Sequence, residues 1–537
     1  MNYTKLKDSL TTAIAVLFVG LTVVSCKKSD PVVEAPIVTT TPPVTVASGT
    51  RNELTKDSIF LYSKELYYWY SSLPTASAFG ARSFTSNETE LYALTQYSNN
   101  PTTGKPYEYV ASSTTHPKYS YIDYLSNAGK TASLKADLNG TANDYGFSAM
   151  YNTTTDLRVK YVYPNSPAAL QGLTRGCRVT VVNGNSNLAY PAAVDFLNAA
   201  IFGTNPYIAL TFIDLAGNTK SVTINSTTYN LNPILFTKVY TVGTKKVGYI
   251  VFNSFTNNVS SSLNAVFADF ANQSVTEVIV DLRYNGGGYV STSAQIANVL
   301  APASQTGNTM FTTYYNDYLQ NLSVIQRKTS VLANQPLLNT DGKLQAFTTG
   351  ANGKYYSYAD LDYKPTNAEN IEKFNKIGAL NLNRVYFIVT DRTASASELT
   401  INSLRPVVDV KLIGSTTYGK PVGFFPIRID KFDLYIPEFE TKNQVGTGGY
   451  YAGLTVDQEA TEDLTKAWGD ETETLLSYAL SYAKNGNFVT TQPKIASLDA
   501  KTGNVVTKLS LEKVKEIGAK LDQNNFKGMI MTPSHNR

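Results

Sequence analysis

Between residues 247 and 413, short continuous apolar runs alternate with segments of helical period, and this alternation constrains the fold more than any other feature of the chain. Val247–Phe252, Thr276–Arg283, Arg384–Thr390 and Val410–Ile413 read as strands. Val259–Ala271, Thr292–Leu300 and Ser395–Leu404 read as helices. Strands that are apolar along their whole length are buried on both faces, so the pattern predicts an α/β sheet covered by helices. One more amphipathic helix is expected from Asp470 to a stop at Gly486, and another over Leu509–Leu521.

Composition narrows the function. The chain has 537 residues, 42% hydrophobic and 16% charged, with 37 Tyr and 23 Phe, which excludes a disordered or coiled-coil protein. A formal charge of +4 and the lack of a basic stripe argue against nucleic acid as a partner. Two cysteines make neither a disulfide framework nor a structural zinc site. With only His116 and His535 present, a Ser-His-Asp hydrolase or a His-ligated metal site has little to draw on. His116, in a Thr-Thr-His-Pro loop, reads as an ordinary loop residue. Catalysis, if present, uses other groups.

Residues 1–26 read as an export signal: Lys5 and Lys7, then an uncharged stretch from Ser9 to Cys26. Val23-Val24-Ser25-Cys26 resembles the lipobox of bacterial lipoproteins, which implies a lipid on Cys26. The alternatives are a plain cleaved signal or a single anchor helix. Pro31, Pro36, Pro42 and Pro43 among Val, Thr and Ser make 27–50 an extended tether. The expected location is the bacterial cell envelope, on the outer membrane or the periplasmic face, anchored to the membrane without being built into it. Residues 51–140 read as a small helical N-terminal domain with a helix over Thr55–Tyr70, and 487–537 as a polar tail.

Residues 141–228 have a different texture. Tyr145-Gly146-Phe147-Ser148, Val159–Val162, a short helix begun at Ser166-Pro167 and stopped at Gly172, and Val179–Gly184 alternate as strands around a helix. The region resembles a PDZ domain. The resemblance implies that the Tyr145–Ser148 loop presents N–H groups to a peptide's terminal carboxylate while the peptide adds as a strand. Cys177 stands where such modules have Asp in a Gly-Asp turn. The other reading is a small β domain that binds no peptide.

Three places in the α/β part, 229–486, carry chemistry. In Asp281-Leu-Arg-Tyr-Asn-Gly286-Gly287-Gly288, three glycines after a buried strand allow a tight turn with bare N–H groups. In Thr393-Ala-Ser395-Ala396-Ser397-Glu398, Ser395-x-x-Glu398 is a capping box, yet a Ser at a helix start also lies where unpaired N–H groups favour an oxyanion. Gly414 to Lys420 nearly matches a phosphate-binding loop, but Pro421 supplies neither the Mg-binding hydroxyl nor an N–H. What remains there is a lysine in a glycine turn, 25 residues beyond Ser395.

Together these resemble the C-terminal processing peptidases, or tail-specific proteases, over residues 55–480. The resemblance implies a multidomain α+β and α/β chain whose peptidase core is of the ClpP/crotonase-like type. It matches Ser395 to the nucleophile, Lys420 to the general base and Glu398 to a residue near the dyad. It matches the N–H of Ala396 to one oxyanion donor and Gly287 to the other, with Gly286 or Gly288 as alternatives. Many members have Gln four residues after the lysine; here it is Phe424, so either another group orients Lys420 or the dyad is weakened. A lysine base needs desolvation to lose its proton near neutral pH, and Tyr418, Pro421, Val422, Phe424 and Phe425 flank Lys420. The implied function is a lipid-anchored serine endopeptidase without cofactor or metal, acting on polypeptides with unstructured C-terminal tails. The rival is a non-catalytic binder of apolar ligands or peptide tails on the same fold, as in the interphotoreceptor retinoid-binding proteins.

Overall fold

The computed structural model describes residues 48–111, 113–125, 138–339, 342–489, 497–498, 505–506, 509–521 and 528–531. The signal segment and Cys26 lie outside the described residues. Helix α1 (Arg51–Leu66) starts at Thr50, which with Glu53 closes a capping box. Its buried face, Ile59, Phe60 and Leu66, joins the same apolar core as the central sheet described below.

A five-stranded antiparallel sheet follows, with β1 (Phe147–Thr153) as an edge strand and α2 (Val194–Ile201) packed on it. It has a core of its own, built from residues such as Leu157, Val159, Leu197, Ile208 and Phe212. Cys177 is buried there as a free thiol.

The central sheet is assembled from β2 (Ile234–Val242), β3 (Lys245–Phe252), α3 (Ser260–Asn272), β4 (Glu277–Asp281), a short β5 (Gly287–Tyr289), α4 (Val290–Leu300), β6 (Arg384–Val389), α5 (Ala396–Leu404), β7 (Asp409–Gly414) and β8 (Gln458–Glu459). Apart from β5, its six strands lie in the order β8-β7-β6-β4-β3-β2, parallel except for the β3–β2 pair. Alternate side chains divide between two faces, as the pleat requires. Ile250, Phe252, Val278, Val280, Val385 and Phe387 face α3, α4 and α5. Tyr249, Val251, Ile279, Tyr386, Ile388 and Ile413 face α6 (Thr474–Asn485), which ends at a left-handed Gly486. Among the described residues of the polar tail, α7 (Leu511–Lys520) and β9 (Gly528–Ile530) pack into the folded part.

The carboxyl ends of β4, β6 and β7 come level through the registers Asp281↔Ile388 and Val389↔Gly414. The three sequence segments that stood out therefore emerge at one sheet edge, where open α/β sheets place their ligands. Beneath them lies a buried ionic network. The Arg283 guanidinium donates to Asp281 at the end of β4 (2.7 Å) and to both oxygens of Glu473 at the head of α6 (3.1 Å each). Arg175, in the turn before the Arg178–Val182 strand of the five-stranded sheet, joins it through Glu462 (2.7 Å), with its guanidinium 4.1 Å from the Trp468 ring centre. Burial by itself pushes the Glu473 carboxyl up, but Arg283 and Arg175 outweigh it and hold that group at about 2.

Two results follow from this network. Removing the cation strands buried carboxylates, so Arg283→Met lowers unfolding free energy by about 3–5 kcal/mol in urea titrations. Glu473, depressed on folding, supplies stability that is present above its unfolded value of 4.5 and lost as pH falls toward about 2. The wild type therefore loses stability across that acid window, and the Arg283→Met variant shows a weaker acid dependence there.

Candidate active site

Asn285 shapes the glycine turn. Its fully buried side chain donates to Phe252 O (2.9 Å) and accepts the Gly287 N–H (2.9 Å). Gly287 sits at φ +107°, and a methyl group there would lie 3.0 Å from both Ala394 O and Ala396 N. Only a glycine lets the turn come this close to the backbone around Ser395. The Gly287 N–H, the expected second oxyanion donor, is held by Asn285 Oδ1 in this state.

Ser395 stands between β6 and α5 with φ 62° and ψ −111°, a region that side-chain-bearing residues rarely occupy. Its neighbours are stitched to the glycine turn, which holds the strain in place. Thr393 Oγ1 donates to Leu282 O (2.8 Å), Ala394 N–H to Asn285 O (3.1 Å), and Ser397 Oγ to the same carbonyl (3.0 Å). The sharp strand-to-helix bend puts the Ser395 hydroxyl at the amino end of α5, where helix N–H groups and the dipole favour negative charge. Ser395 Oγ is buried and makes no hydrogen bond.

Glu398 is the centre of the site. Its fully buried carboxylate accepts four hydrogen bonds. Oε2 takes the N–H of Ser395 (2.8 Å) and of Lys420 (2.9 Å). Oε1 takes the N–H of Gly419 (2.8 Å) and the hydroxyl of Thr417. Burial pushes the Glu398 carboxyl above its ordinary value, while these four donors favour its ionised form. One oxygen thus joins the backbone of Ser395 to that of Lys420.

The Lys420 turn is pinned from outside as well. Gly419, at φ +82°, has its carbonyl bonded by the Tyr119 hydroxyl (2.6 Å) and by Lys118 Nζ (3.3 Å). Lys118 also reaches Tyr451 O (3.2 Å), and desolvation, opposed by Glu398 and Glu108, brings its ammonium down to about 8. The Lys420 side chain is fully buried, with Nζ 4.0 Å from the centre of the Phe424 ring and 5.6 Å from that of Tyr119. Edge contacts with Tyr121 and Tyr435 fix the Phe424 ring. Phe424 therefore lays an aromatic face against the amine from the position where a Gln was expected.

The structure thus brings Ser395, Ala396, Glu398, Lys420 and the glycine turn together. Tyr145, Gly146, Phe147 and Ser148 are placed elsewhere, at the start of β1. Tyr145, Phe147 and Ser148 are buried, and the Gly146 N–H donates to Asp144 Oδ1 (2.7 Å). His116 lies on an exposed loop beside Ser113 and Thr115. Sequence reasoning missed Lys118, Tyr119 and Thr417. Thr417 lay inside a segment already singled out; Lys118 and Tyr119, some 300 positions from Gly419, carry no local signal.

Residues 246–448 match the family model of Peptidase family S41. A chloroplastic C-terminal processing peptidase of Tetradesmus obliquus is 22% identical over 184 residues, covering 32% of this chain and 39% of that protein. A carboxyl-terminal-processing protease of Picosynechococcus is 22% identical over 292 residues, covering 54% and 56%. The alignments span less than two thirds of either relative. Among solved structures, a Bacteroides fragilis chain assigned to the S41 proteases overlaps at a TM-score of 0.49 and 23% identity, over 79% of this chain and 96% of that one. The family model and both curated relatives are of peptidases.

The four-donor arrangement makes Glu398 sensitive to an isosteric change. In Glu398→Gln one acceptor becomes an amide donor facing N–H groups, which displaces Ser395 relative to Lys420. Labelling of Ser395 by a fluorophosphonate then slows by about 10²-fold, the scale of a 1 Å misplacement. An unchanged labelling rate would show that the carboxylate does not set the geometry.

Proposed function

We propose that the chain is a serine endopeptidase of the C-terminal processing type. Ser395 Oγ attacks the scissile carbonyl carbon and Lys420 Nζ accepts its proton. The oxyanion is received by the Ala396 N–H at the helix start and by an N–H of the glycine turn, from Gly287 once it leaves Asn285, or from Gly286 or Gly288. Lys420 returns the proton to the leaving amine, and water hydrolyses the acyl-enzyme by the same route in reverse. Glu398 positions both partners through their backbone and takes no proton. No metal or organic cofactor enters the scheme.

One observation carries this reading: Ser395 N–H and Lys420 N–H converge on the same buried oxygen of Glu398. The strained backbone of Ser395 and the burial of the Lys420 amine, the setting a lysine base requires, support it. The five-stranded sheet is assigned as a PDZ-like module in which the Tyr145–Ser148 loop and the edge strand β1 capture unstructured substrate tails. A lipid on Cys26 is assigned as the tether to the cell envelope.

Protein starting at Ser48 slowly cleaves β-casein, and Ser395→Ala reduces this to background. Lys420→Ala lowers kcat by about 10²–10⁴-fold. Lys420→Arg fails equally, because a guanidinium does not give up its proton. Cleavage that survives in both Ser395→Ala and Lys420→Ala would overturn the mechanism. A second reading, binding of an apolar ligand or peptide tail without turnover, draws on the Phe424 ring lying against the Lys420 amine. Absence of fluorophosphonate labelling at Ser395 together with retention of an apolar ligand would favour it.

A further inference from the structure

Both members of the dyad are closed off from solvent: Ser395 and Lys420 have no exposed surface. A peptidase must admit a polypeptide to its nucleophile, so some part of the chain lies where substrate would enter. That part is the tail strand β9. On one side it pairs in parallel with the glycine turn, in the register Gly287↔Gly528, Gly288↔Met529 and Tyr289↔Ile530. Gly528 N–H donates to Gly286 O at 3.0 Å. On the other side Phe424 N–H donates to Met529 O (3.0 Å), and Met531 N–H donates to Phe424 O (3.1 Å). The segment therefore bridges the two walls of the site, the glycine turn beside Ser395 and the residue whose ring covers Lys420. It also lies against α5, the helix that Ser395 begins.

The contact reaches the reacting groups. The point where a Gly287 methyl would sit is 2.3 Å from Gly528 O and 3.0 Å from Ala396 N. The Gly528 carbonyl oxygen of the tail and the N–H assigned to the oxyanion thus both border the same point beside Gly287. In a parallel pair of this register the donor facing Gly528 O is the Gly288 N–H, another candidate for the same task. Met529 anchors the strand with a fully buried side chain. These are the features of a peptide bound by strand addition: main-chain ladders on its edges and a pocket for an alternate side chain.

The rest of the tail occupies the other proposed substrate surface. Helix α7 lies against the edge strand β1, with Ile517 and Leu521 buried in the core of the five-stranded sheet. Asn198 of α2 donates to Lys520 O (2.8 Å), and Tyr190 OH donates to Glu516 (2.8 Å). The same sheet edge that would take a substrate tail is covered by the chain's own.

We propose that the C-terminal tail is a tethered pseudo-substrate: Gly528–Met531 fills the strand-binding groove between the glycine turn and Phe424, and the enzyme is autoinhibited until a polypeptide displaces it. The proposal rests on the reading of Ser395 as the nucleophile, and its test separates binding from turnover. A fluorescein-labelled peptide of residues 522–537 is titrated by anisotropy into two Ser395→Ala proteins, one full-length and one ending at Leu521. A short tether acts at an effective concentration of about millimolar, so the peptide binds the shortened protein at least about tenfold more tightly than the full-length one. Met529→Asp in the full-length protein, which places a charge in the buried pocket without shortening the chain, gives the same gain. With Ser395 restored, both changes raise β-casein cleavage by a similar factor. Equal binding to the full-length and shortened proteins, or no binding to either, would overturn the proposal. Peptide binding that follows the predicted order without any cleavage would uphold the tail assignment and count against the peptidase reading instead.

Discussion

The site depends on one fully buried carboxylate. Glu398 Oε2 takes the backbone N–H of Ser395 from the head of a helix and that of Lys420 from a turn on a neighbouring strand. Burying a carboxylate is unfavourable unless donors surround it, and here the donors come from the segments that must be kept in register. The Ser395-x-x-Glu398 spacing of a capping box therefore serves a longer-range purpose. Its glutamate reaches back to the helix cap and also across to the lysine turn.

Around this hub the fold supplies level ground. Three adjacent parallel strands, β4, β6 and β7, bring three loops out at one edge, and the Arg283–Asp281–Glu473 cluster locks the end of β4 to α6. Asn285 then fixes the glycine turn, and the strained Ser395 is held by three hydrogen bonds from its neighbours to that segment. Strain of this kind persists only where the surroundings over-determine it. Tyr119 and Phe424 flank the lysine amine while Tyr121 and Tyr435 hold the Phe424 ring, so the abundance of tyrosine in the composition has one concrete use here.

The buried sheet was the most legible part of the sequence. Expected strands such as Arg384–Thr390 and Val410–Ile413 correspond to Arg384–Val389 and Asp409–Gly414, because strands covered on both faces are apolar throughout. Helix α5 and the Ser395–Glu398 pair were legible because capping chemistry is local. Lys118 and Tyr119 were not, since nothing near them in the chain reports contacts made some 300 positions away. The sequence marks the tail as polar with one helix over Leu509–Leu521, which corresponds to Leu511–Lys520, but it does not mark where the tail docks. Its docking residues are a handful of apolar side chains, Ile517, Leu521 and Gly528-Met529-Ile530-Met531, set among charged and amide residues. A stretch as short as Gly528–Ile530 becomes a strand only through the surface it meets. Phe424 shows the opposite limit: its departure from the Gln pattern was visible, but its consequence required knowing which way the ring faces.

The central claim is that the Ser395 hydroxyl and the Lys420 amine work as a pair. It is tested most directly by a crystal structure of the protein ending at Leu521 with a peptide boronate bonded to Ser395. The account predicts Lys420 Nζ within hydrogen-bond reach of Ser395 Oγ, about 2.6–3.2 Å, in a pocket still shielded by Phe424. A Lys420 amine turned into solvent and distant from the bonded serine would contradict it.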